Sequence, residues 1–380
     1  MTGQPLRPFV IKLGRIGDMV MLTAALQLLH ARYGKPCYVV GADAWAPAVY
    51  LGLDEVAQCW SLPRKAPIPF GLAWPAILGA LRSSAPGPVY VFEHHPPQVR
   101  RIRRLLRLGG VDPGRCLFMD EAPGTEVPWI DAMLRFARRT PAGLSSVDYP
   151  EPAGTGTWSP RLRVVEAERA ARDRWLGARG FHGQPLVLVQ PGNHRTMGHR
   201  RLRNWHGRDD KVWPIERWVE LLHLLHGRMP QAMLVLRGAA PEMPLLEAIR
   251  AAAALPCVIP ASTELRPLFA LSEIAHSMIS VDSGPAHAAA ALGVPLVVLY
   301  GVQSPRVWLP RSSNGSAVVA LGGAPELQRV DQISVGAVFE AWCGLNQAAA
   351  QADLELPAAP PSSQTTSVTM EPSALSSSVR

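Results

Sequence analysis

Four short segments of the chain bring together residue types that serve proton transfer and phosphate binding. They are residues 14–18 (GRIGD), 211–214 (KVWP), 238–242 (GAAPE) and 281–287 (VDSGPAH). A carboxylate can accept a proton from a hydroxyl group, and a lysine can hold a phosphate as a point charge. A glycine turn at the start of a helix exposes backbone N–H groups to an anion. The chemistry open to these segments is therefore proton acceptance beside a bound phosphate.

The first segment is a glycine turn that joins an apolar run to a helical pattern. Its spacing, with Gly14, Gly17 and Asp18, is neither GxGxxG nor GxxxxGK[ST]. A dinucleotide fingerprint and a P-loop are therefore both absent. Asp18 has two interpretations, because a carboxylate just inside a helix start can also serve only to complement the helix dipole.

The last segment follows the apolar run MIS and opens the small-residue run AAAALG. Asp282 or Ser283 can cap that helix, and Pro285 suits its first turn. These structural roles leave His287 unexplained. It either packs in the core or faces an anion at the helix start.

The two middle segments place one charged residue each beside a helix start. Lys211 can hold a phosphate, or it can be a solvated surface lysine. Glu242 can accept hydrogen bonds from a ribose diol, or it can be an ordinary first-turn carboxylate.

Strands that alternate with helices must position these segments. Apolar runs at residues 8–13, 37–40 and 89–92 predict strands in a first block, and a Pro/Gly/Thr-rich stretch at 149–161 predicts a linker. A second block has predicted strands at 186–189, 233–236, 258–259, 278–281 and 296–300, with helices at 214–226, 242–253, 265–275 and 285–292. Such alternation predicts two parallel sheets. All four segments then lie at strand-to-helix junctions, where they should line one cleft.

We therefore predict an α/β chain of two doubly wound domains, at residues 1–160 and 161–345. A Ser/Thr/Pro-rich tail at 346–380 is expected to be disordered. The 380 residues are 48% hydrophobic, which excludes wholesale disorder. The sequence does not show an uninterrupted apolar run of membrane-spanning length, nor the features of a signal peptide.

The net charge and the cysteine content limit which classes of binding partner and which cellular compartment we expect. Lys+Arg minus Asp+Glu is 38 − 30 = +8, which favours phosphates, anionic lipid heads, acidic sugars or nucleic acid. The five cysteines are scattered without CxxC spacing, so we expect neither a disulfide framework nor a zinc knuckle, and a reducing cytosol fits best.

Two stretches concentrate the basic residues. The first predicts an amphipathic helix that carries Arg100, Arg101, Arg103, Arg104 and Arg107 between apolar residues. Its arginines form either a solvated face or a surface for an anionic acceptor or a membrane. The second, at residues 195–211, lies between a strand end and a helix start, and it is either part of the ligand site or an inert loop.

The segments IKLGRIGDMVMLTAAL, LVLVQPG, KVWPIERWVELLHLL, MLVLRGAAPE and VDSGPAHAAAALGVPLVVLYG resemble, in this order, those of glycosyltransferase family 9, the ADP-heptose:lipopolysaccharide heptosyltransferases. The resemblance covers about residues 9–310, and VDSGPAH is its most specific part. It implies a GT-B fold, with two Rossmann-like domains facing a central cleft. The acceptor would bind mainly to the first domain and the nucleotide-sugar to the second.

The resemblance also implies roles for individual residues in an inverting, metal-independent transfer that needs no cofactor. Asp18 takes the place of the general base. Positions near the donor are Gly17, Lys211 (donor phosphate), Glu242 (ribose), Thr263 (nucleobase), Asp282 (donor sugar), Ser283, Gly284 and His287. Apart from the resemblance, their positive charge makes Arg15, Arg100, Arg101 and Arg104 candidates for binding the anionic acceptor. Gly14-Arg15 stands where some heptosyltransferases carry Ser-Ser, which bears on how the diphosphate or the acceptor is held.

We thus expect a cytoplasmic enzyme that moves a heptose, or a related sugar, from an ADP-sugar to a lipopolysaccharide core-type acceptor. The expected partners are a nucleotide-sugar, an anionic glycolipid and the cytoplasmic face of the inner membrane, without nucleic acid. The alternative is a non-catalytic nucleotide-sugar or anion-binding protein of the same fold, acting at a membrane or on nucleic acid. A nucleotide-sugar epimerase fits the fold but not these motifs.

Overall fold

The computed structural model describes residues 3–63, 73–119, 122–124, 126–152, 158–193 and 210–355, with side chains as far as residue 345. These residues form two parallel β-sheets, each covered by helices. Most strand residues are buried, as expected of parallel strands whose two faces are both covered. The prediction of two doubly wound α/β domains is therefore confirmed.

The first sheet has, within the described residues, five parallel strands in the order β3-β2-β1-β4-β5. Its elements are β1 (Phe9–Ile11), α1 (Ile16–Tyr33), β2 (Cys37–Ala42), α2 (Trp45–Tyr50), β3 (Val56–Leu62), α3 (Trp74–Ser83), β4 (Val89–Val91), α4 (Pro96–Leu108), β5 (Cys116–Phe118) and α5 (Trp129–Arg138). Helix α1 ends where Gly34 adopts the left-handed conformation (φ 75°), which glycine reaches without strain.

The second sheet has six parallel strands among the described residues, in the order β11-β10-β9-β6-β7-β8. Its elements are α6 (Glu166–Gly177), β6 (Leu186–Gln190), α7 (Ile215–Arg228), β7 (Met233–Gly238), α8 (Met243–Ala253), β8 (Val258–Ser262), α9 (Leu265–Glu273), β9 (Ser277–Val281), α10 (Gly284–Ala291), β10 (Leu296–Tyr300), α11 (Pro305–Trp308), β11 (Val318–Gly322) and α12 (Val335–Glu355).

The two domains pack through helices rather than through their sheets. Helix α1 packs on α10, and α2 packs on α9. The apolar core of the first domain takes in Leu268, Phe269 and Ala270 from α9 and Ala288 and Ala291 from α10. This contact brings the start of α1 beside the start of α10, at the carboxyl edges of both sheets.

The predicted strands and helices of the second block are all present, with ends that shift by a few residues. Helix α12 continues past the predicted domain end at residue 345 as far as Glu355, because its helical run AWCGLNQAAAQADLE extends beyond that boundary. The remainder of the predicted tail, residues 356–380, lies outside the described residues, as do residues 153–157 of the predicted linker.

The arginine-rich amphipathic helix is also confirmed. Helix α4 buries Ile102, Leu105 and Leu106 and leaves Arg100 and Arg104 exposed. Among the described residues, no helix is both long enough and apolar enough to cross a bilayer.

Candidate functional site

The cleft between the domains contains two adjoining cavities. The first, of about 490 Å³, is lined by Asp18, Glu93 and Asp282 among others, and we call it the carboxylate cavity. The second, of about 360 Å³, is lined by Arg237 and Glu242 among others, and we call it the arginine cavity. They share four residues at the starts of α1 and α10, namely Arg15, Gly17, Ser283 and Gly284. One elongated ligand can therefore occupy both.

The starts of α1 and α10 approach each other closely where the cavities meet. A Cβ added to Gly284 would lie 2.8 Å from the Cβ of Ile16 and 3.3 Å from the backbone nitrogen of Gly17. A Cβ on Gly17 would lie 3.0 Å from Cδ2 of His287. Glycine at both positions therefore allows two helix N-termini to converge. Their dipoles and first-turn amides favour an anion at this point.

Ser283 occupies the N-cap position of α10 but does not cap it through its side chain. Its hydroxyl is instead 3.1 Å from the hydroxyl of Ser280. The expectation that Asp282 or Ser283 caps the helix through a side chain is therefore wrong for Ser283, because Ser280 at the strand end takes that hydroxyl.

Asp18 both caps its helix and lines the carboxylate cavity. Its Oδ2 accepts a hydrogen bond from the backbone N–H of Arg15 at 2.9 Å, which caps α1. Its Oδ1 lies 3.8 Å from Nζ of Lys12, and the side chain is 21% exposed in the carboxylate cavity. The cap thus fixes one oxygen and leaves the other near the ligand space.

Lys12 and Glu93 join Asp18 in a buried charged cluster that the sequence analysis missed. Lys12 is only 2% exposed, donates to the carbonyl of Phe92 at 3.0 Å and lies 3.9 Å from Oε1 of Glu93. Glu93 in turn accepts a hydrogen bond from the backbone N–H of Leu13. Their signal is a charged residue at the carboxyl end of an apolar strand, at IKL and VYVFE.

Lys211 and Asp282 form a second buried ion pair at the opposite wall of the carboxylate cavity. The Lys211 ammonium contacts the Asp282 carboxylate and also donates to the Asp282 backbone carbonyl at 3.2 Å. Lys211 is therefore not a solvated surface lysine. The pair places a cation beside the start of α10, where a phosphate would be held.

Two histidines of the carboxylate cavity are shifted toward the neutral form. Burial lowers the pKa of His287, although the carboxylates of Asp282 and Asp18 oppose the shift. Burial and the nearby Lys12 ammonium lower the pKa of His94. Neutral imidazoles can both donate and accept hydrogen bonds at pH 7.

The arginine cavity has a charged and polar lining. Glu242 is buried and accepts a hydrogen bond from the backbone N–H of Ala239 at 2.8 Å. Arg237 is 4% exposed and donates through Nη2 to the carbonyl of Thr263 at 3.2 Å. Burial lowers the pKa of Arg237 to about 10, with Glu242 opposing the shift, so the guanidinium is charged at neutral pH. Trp45 lines the cavity from the first domain.

The structure brings most of the predicted site residues together. The carboxylate cavity is lined by Arg15, Gly17, Asp18, Lys211, Asp282, Ser283, Gly284 and His287. The arginine cavity is lined by Glu242 and Thr263, together with four of the residues just named. The prediction that all four segments line one cleft is therefore confirmed.

Three predicted acceptor residues do not line either cavity. The carboxylate cavity is lined by His95, which precedes α4, and by Gln98 in its first turn. Arg100, Arg101 and Arg104 lie further along the helix. The arginine-rich loop at 195–208 lies outside the described residues. Within the described part of the chain, no group of three or more His, Cys, Asp or Glu side chains is arranged to hold a metal ion.

Comparisons with known proteins point to glycosyltransferases of one family. The family model described as glycosyltransferase family 9 (heptosyltransferase) matches residues 157–335. The chain is 24% identical over 339 residues to lipopolysaccharide heptosyltransferase 2 of Salmonella typhimurium. The matched segment covers 83% of this chain and 88% of that protein.

Solved structures of the same family share the fold. The ADP-heptose LPS heptosyltransferase II of E. coli has a TM-score of 0.67 and 20% identity, covering 91% of this chain and all of that one. A glycosyltransferase family 9 protein of Veillonella parvula has a TM-score of 0.70 and 16% identity, covering 92% and 99%. E. coli heptosyltransferase WaaC with ADP has a TM-score of 0.64 and 17% identity, covering 89% and 99%. The chain is therefore similar to the heptosyltransferases of glycosyltransferase family 9 over residues 157–335, and it shares with the solved structures two Rossmann-like domains in the GT-B arrangement.

Proposed function

We propose that this glycosyltransferase moves a heptose, or a related sugar, from an ADP-sugar to a hydroxyl group of a lipopolysaccharide core-type acceptor. The transfer inverts the anomeric centre and uses neither a metal ion nor a cofactor. One observation carries the proposal: Asp18 of the first domain lines the same cavity as Lys211 and the start of α10 from the second. A proton acceptor and an anion site thus face one ligand space.

The acceptor hydroxyl attacks the anomeric carbon as the bond from that carbon to the diphosphate oxygen breaks. The hydroxyl proton passes to Oδ1 of Asp18, since Oδ2 is held by the Arg15 amide. A carboxylate placed in this way contributes typically about 10²–10⁴-fold to the rate. Attack from the face opposite the leaving group is what inverts the configuration.

The leaving diphosphate gains negative charge as the bond breaks. The converging N-termini of α1 and α10 and the Lys211 ammonium supply positive potential where that charge develops. This arrangement supplies the stabilisation that a metal ion provides in other transferases. Asp282, paired with Lys211, is in place to contact the donor sugar, and His287 lies beside the diphosphate.

The nucleoside of the donor extends into the arginine cavity in this proposal. Glu242, a buried carboxylate, accepts hydrogen bonds from the ribose hydroxyls, and Thr263 lies beside the base. The ADP in the WaaC structure and the name of the Salmonella relative support an ADP-sugar donor and a lipopolysaccharide acceptor.

The acceptor approaches over the first domain. Arg15 lines both cavities. The arginines of α4 continue from the cleft wall along the helix, with Arg100 and Arg104 exposed and Arg101 half-buried. No Asp or Glu occurs in the sequence of α4. This helix would attract the phosphates and acidic sugars of a glycolipid, and it would hold the enzyme against the cytoplasmic face of the inner membrane.

A donor screen tests the proposal. Thermal unfolding is measured with a panel of nucleoside-diphosphate sugars, and the most stabilising one is incubated with lipopolysaccharide core acceptors that lack a terminal heptose. A donor at a hundredfold excess over its dissociation constant should stabilise the fold by about 2.7 kcal/mol. Turnover with inverted product configuration by NMR is the expected result.

The competing function is a non-catalytic binder that uses the basic face of α4 on a membrane or nucleic acid. The observation that favours this alternative is the net charge of +8. Salt-dependent nucleic-acid binding, with neither stabilisation by any nucleotide-sugar nor turnover, would establish that function instead.

A further inference from the structure

Three neighbouring strand ends of the second sheet place polar side chains in the wall of the arginine cavity. Gln190 ends β6, Arg237 is the penultimate residue of β7, and Thr263 follows β8. These strands are adjacent in the order β6-β7-β8. Their carboxyl ends therefore form one polar floor, which we define as Gln190, Arg237 and Thr263.

Each residue of the polar floor has a buried hydrogen-bonding atom without a partner among the described residues. These atoms are Oε1 of Gln190, Nε and Nη1 of Arg237, and Oγ1 of Thr263. Leaving a buried polar group unpaired destabilises a fold, and more strongly when the group is charged. Proteins pair nearly all such atoms, so four of them in one cavity need an explanation.

The fixed bonds of the floor show that these atoms are held in place. Arg237 donates through Nη2 to the Thr263 carbonyl at 3.2 Å, and Gln190 donates through Nε2 to the Gly192 carbonyl at 2.8 Å. Each of these two side chains is thus held by one hydrogen bond and has at least one further polar atom without a partner. Gln190 and Arg237 are 2% and 4% exposed, so neither can turn outward to water.

The leftover atoms define the chemistry of the missing partner. Arg237 can only donate, so it needs an acceptor such as a ring nitrogen or a carbonyl oxygen. Oε1 of Gln190 can only accept, so it needs an N–H or O–H group. The Thr263 hydroxyl can do either. Donors and acceptors side by side on a flat edge are what a nucleobase presents.

We propose that the polar floor, through Arg237 above all, selects the nucleobase of the sugar donor. This inference rests on the proposed function, because it places the nucleoside in the arginine cavity. Trp45 lines the same cavity from the first domain. Residues of both domains therefore line the space that the base would occupy. Arg237 is a specificity residue and takes no part in the transfer step.

Calorimetric titration of the full chain with ADP, GDP, UDP, CDP and pyrophosphate tests this inference. The wild-type protein should prefer one nucleotide over the others by about tenfold or more, since one charged hydrogen bond is at stake. Arg237→Met should remove that preference and leave the affinity for pyrophosphate unchanged, because pyrophosphate has no base. Arg250→Met is the matched control, since Arg250 is exposed on α8 and pairs with Glu247.

Thr263→Val is a second, independent variant in case Arg237→Met fails to fold. It should reduce the difference in affinity between the preferred nucleotide and the others. Because it exchanges one polar atom for a methyl group, its effect on packing is small. A nucleotide ranking that survives in both variants, or survives in Thr263→Val when Arg237→Met is unfolded, overturns the inference and leaves the proposed function standing. Failure of the wild-type protein to bind any nucleotide or pyrophosphate overturns the proposed function, and the inference with it.

Discussion

At the scale of single residues, the chemistry of the cleft depends on how each charge is paired. Asp18 is held by the Arg15 amide through one oxygen and faces Lys12 with the other. Lys12 also faces Glu93, so one buried cation serves two carboxylates. Lys12 therefore positions the proposed base from the wall of the carboxylate cavity.

Replacing Lys12 by Met should lower kcat more than it changes the KM for the donor. The substitution leaves Asp18 and Glu93 without their shared cation, so Oδ1 of Asp18 loses the charge that it faces, while the Arg15 amide still holds Oδ2. Breaking a buried pair in this way also costs about 3–5 kcal/mol of stability. Steady-state kinetics and urea unfolding measure the two effects.

The double variant Lys12→Met with Glu93→Gln separates charge from packing. It restores the net charge of the cluster, so part of the lost stability should return. Lys35→Met is the control, since Lys35 is exposed at the end of the loop before β2. If the double variant is no more stable than Lys12→Met, electrostatic pairing is not what the cluster provides.

The buried His287 predicts a pH dependence of stability. Burial lowers its pKa in the folded protein below the value near 6.5 of the unfolded chain. The unfolded state then binds the proton more readily, so this contribution to stability is complete above pH 6.5 and declines as the pH falls.

His287→Gln should therefore flatten the loss of stability below pH 6.5. One titrating group accounts for at most about 1.4 kcal/mol per pH unit, which bounds the change in slope. Chemical unfolding at several pH values between 5 and 7.5 measures that slope. A slope identical to that of the wild-type protein would show that His287 is not the group that titrates.

The motifs predicted most of the cleft residues, because each lies where a strand turns into a helix. Lys12, Glu93 and Arg237 were missed for one physical reason. Each is a single charged residue at the end of an apolar strand, and its sequence context does not reveal which way the side chain points. Only the packing of neighbouring strands brings such residues to a common cavity.

At the scale of elements, the anion site depends on how closely α1 and α10 approach. Glycine at positions 17 and 284 leaves room for the approach, since a Cβ on Gly284 would meet Ile16 and the backbone of Gly17. The two helix starts then point into one space.

Gly284→Ala should force the two helix starts apart. The added methyl group overpacks the contact, at a cost of about 1–3 kcal/mol, and it widens the anion site. Thermal unfolding should show the loss, and titration should show weaker pyrophosphate binding.

Gly79→Ala is the matched control for that substitution. Gly79 lies in α3 with open space around its Cβ position, so alanine there should be neutral or stabilising by about 0.4–1 kcal/mol. Equal stability of Gly284→Ala and the wild-type protein would contradict the close approach of α1 and α10.

The elements of the second domain were predicted well because its strands are continuous apolar runs between clear turn signals. The first domain was harder. Strand β3 lies at the sheet edge and carries Gln58 and Ser61, and β5 has only three residues, so neither has an obvious apolar pattern. Helix α5 did carry a signal, the buried face of Trp129, Ile130 and Met133, and could have been found.

At the scale of the whole molecule, the domains share one apolar cluster. Phe269 of α9 is fully buried against the first domain, together with Leu268 and residues of α10. Arg311 of the second domain adds an ion pair to Asp131 of α5 at 2.6 Å. We therefore expect the two domains to unfold together.

Phe269→Ala should uncouple the domains. Loss of the ring from a closed core costs about 3–5 kcal/mol, and the cost falls on the contact between domains. Urea unfolding of the wild-type protein should be a single transition, and the variant should show two. Leu224→Ala, at a partly exposed position of α7, is the control. A single, equally cooperative transition in Phe269→Ala would contradict the shared core.

The contact between the domains could not be predicted from the sequence. The apolar residues of α9 and α10 read equally well as the core of their own domain, and nothing in a helical pattern says which sheet it covers. The prediction of one cleft rested on the carboxyl ends of the strands, and it held because both sheets turn those ends toward the same gap.

The measurement that tests the central claim most directly is the transfer rate of Asp18→Asn beside its affinity for the donor. Asparagine can still accept the Arg15 amide bond, so α1 keeps its cap and only proton acceptance is lost. With Asp54→Asn as an exposed control, we predict that transfer by Asp18→Asn falls by about 10²-fold or more while donor affinity is unchanged. Transfer at the wild-type rate would contradict the assignment of Asp18 as the base.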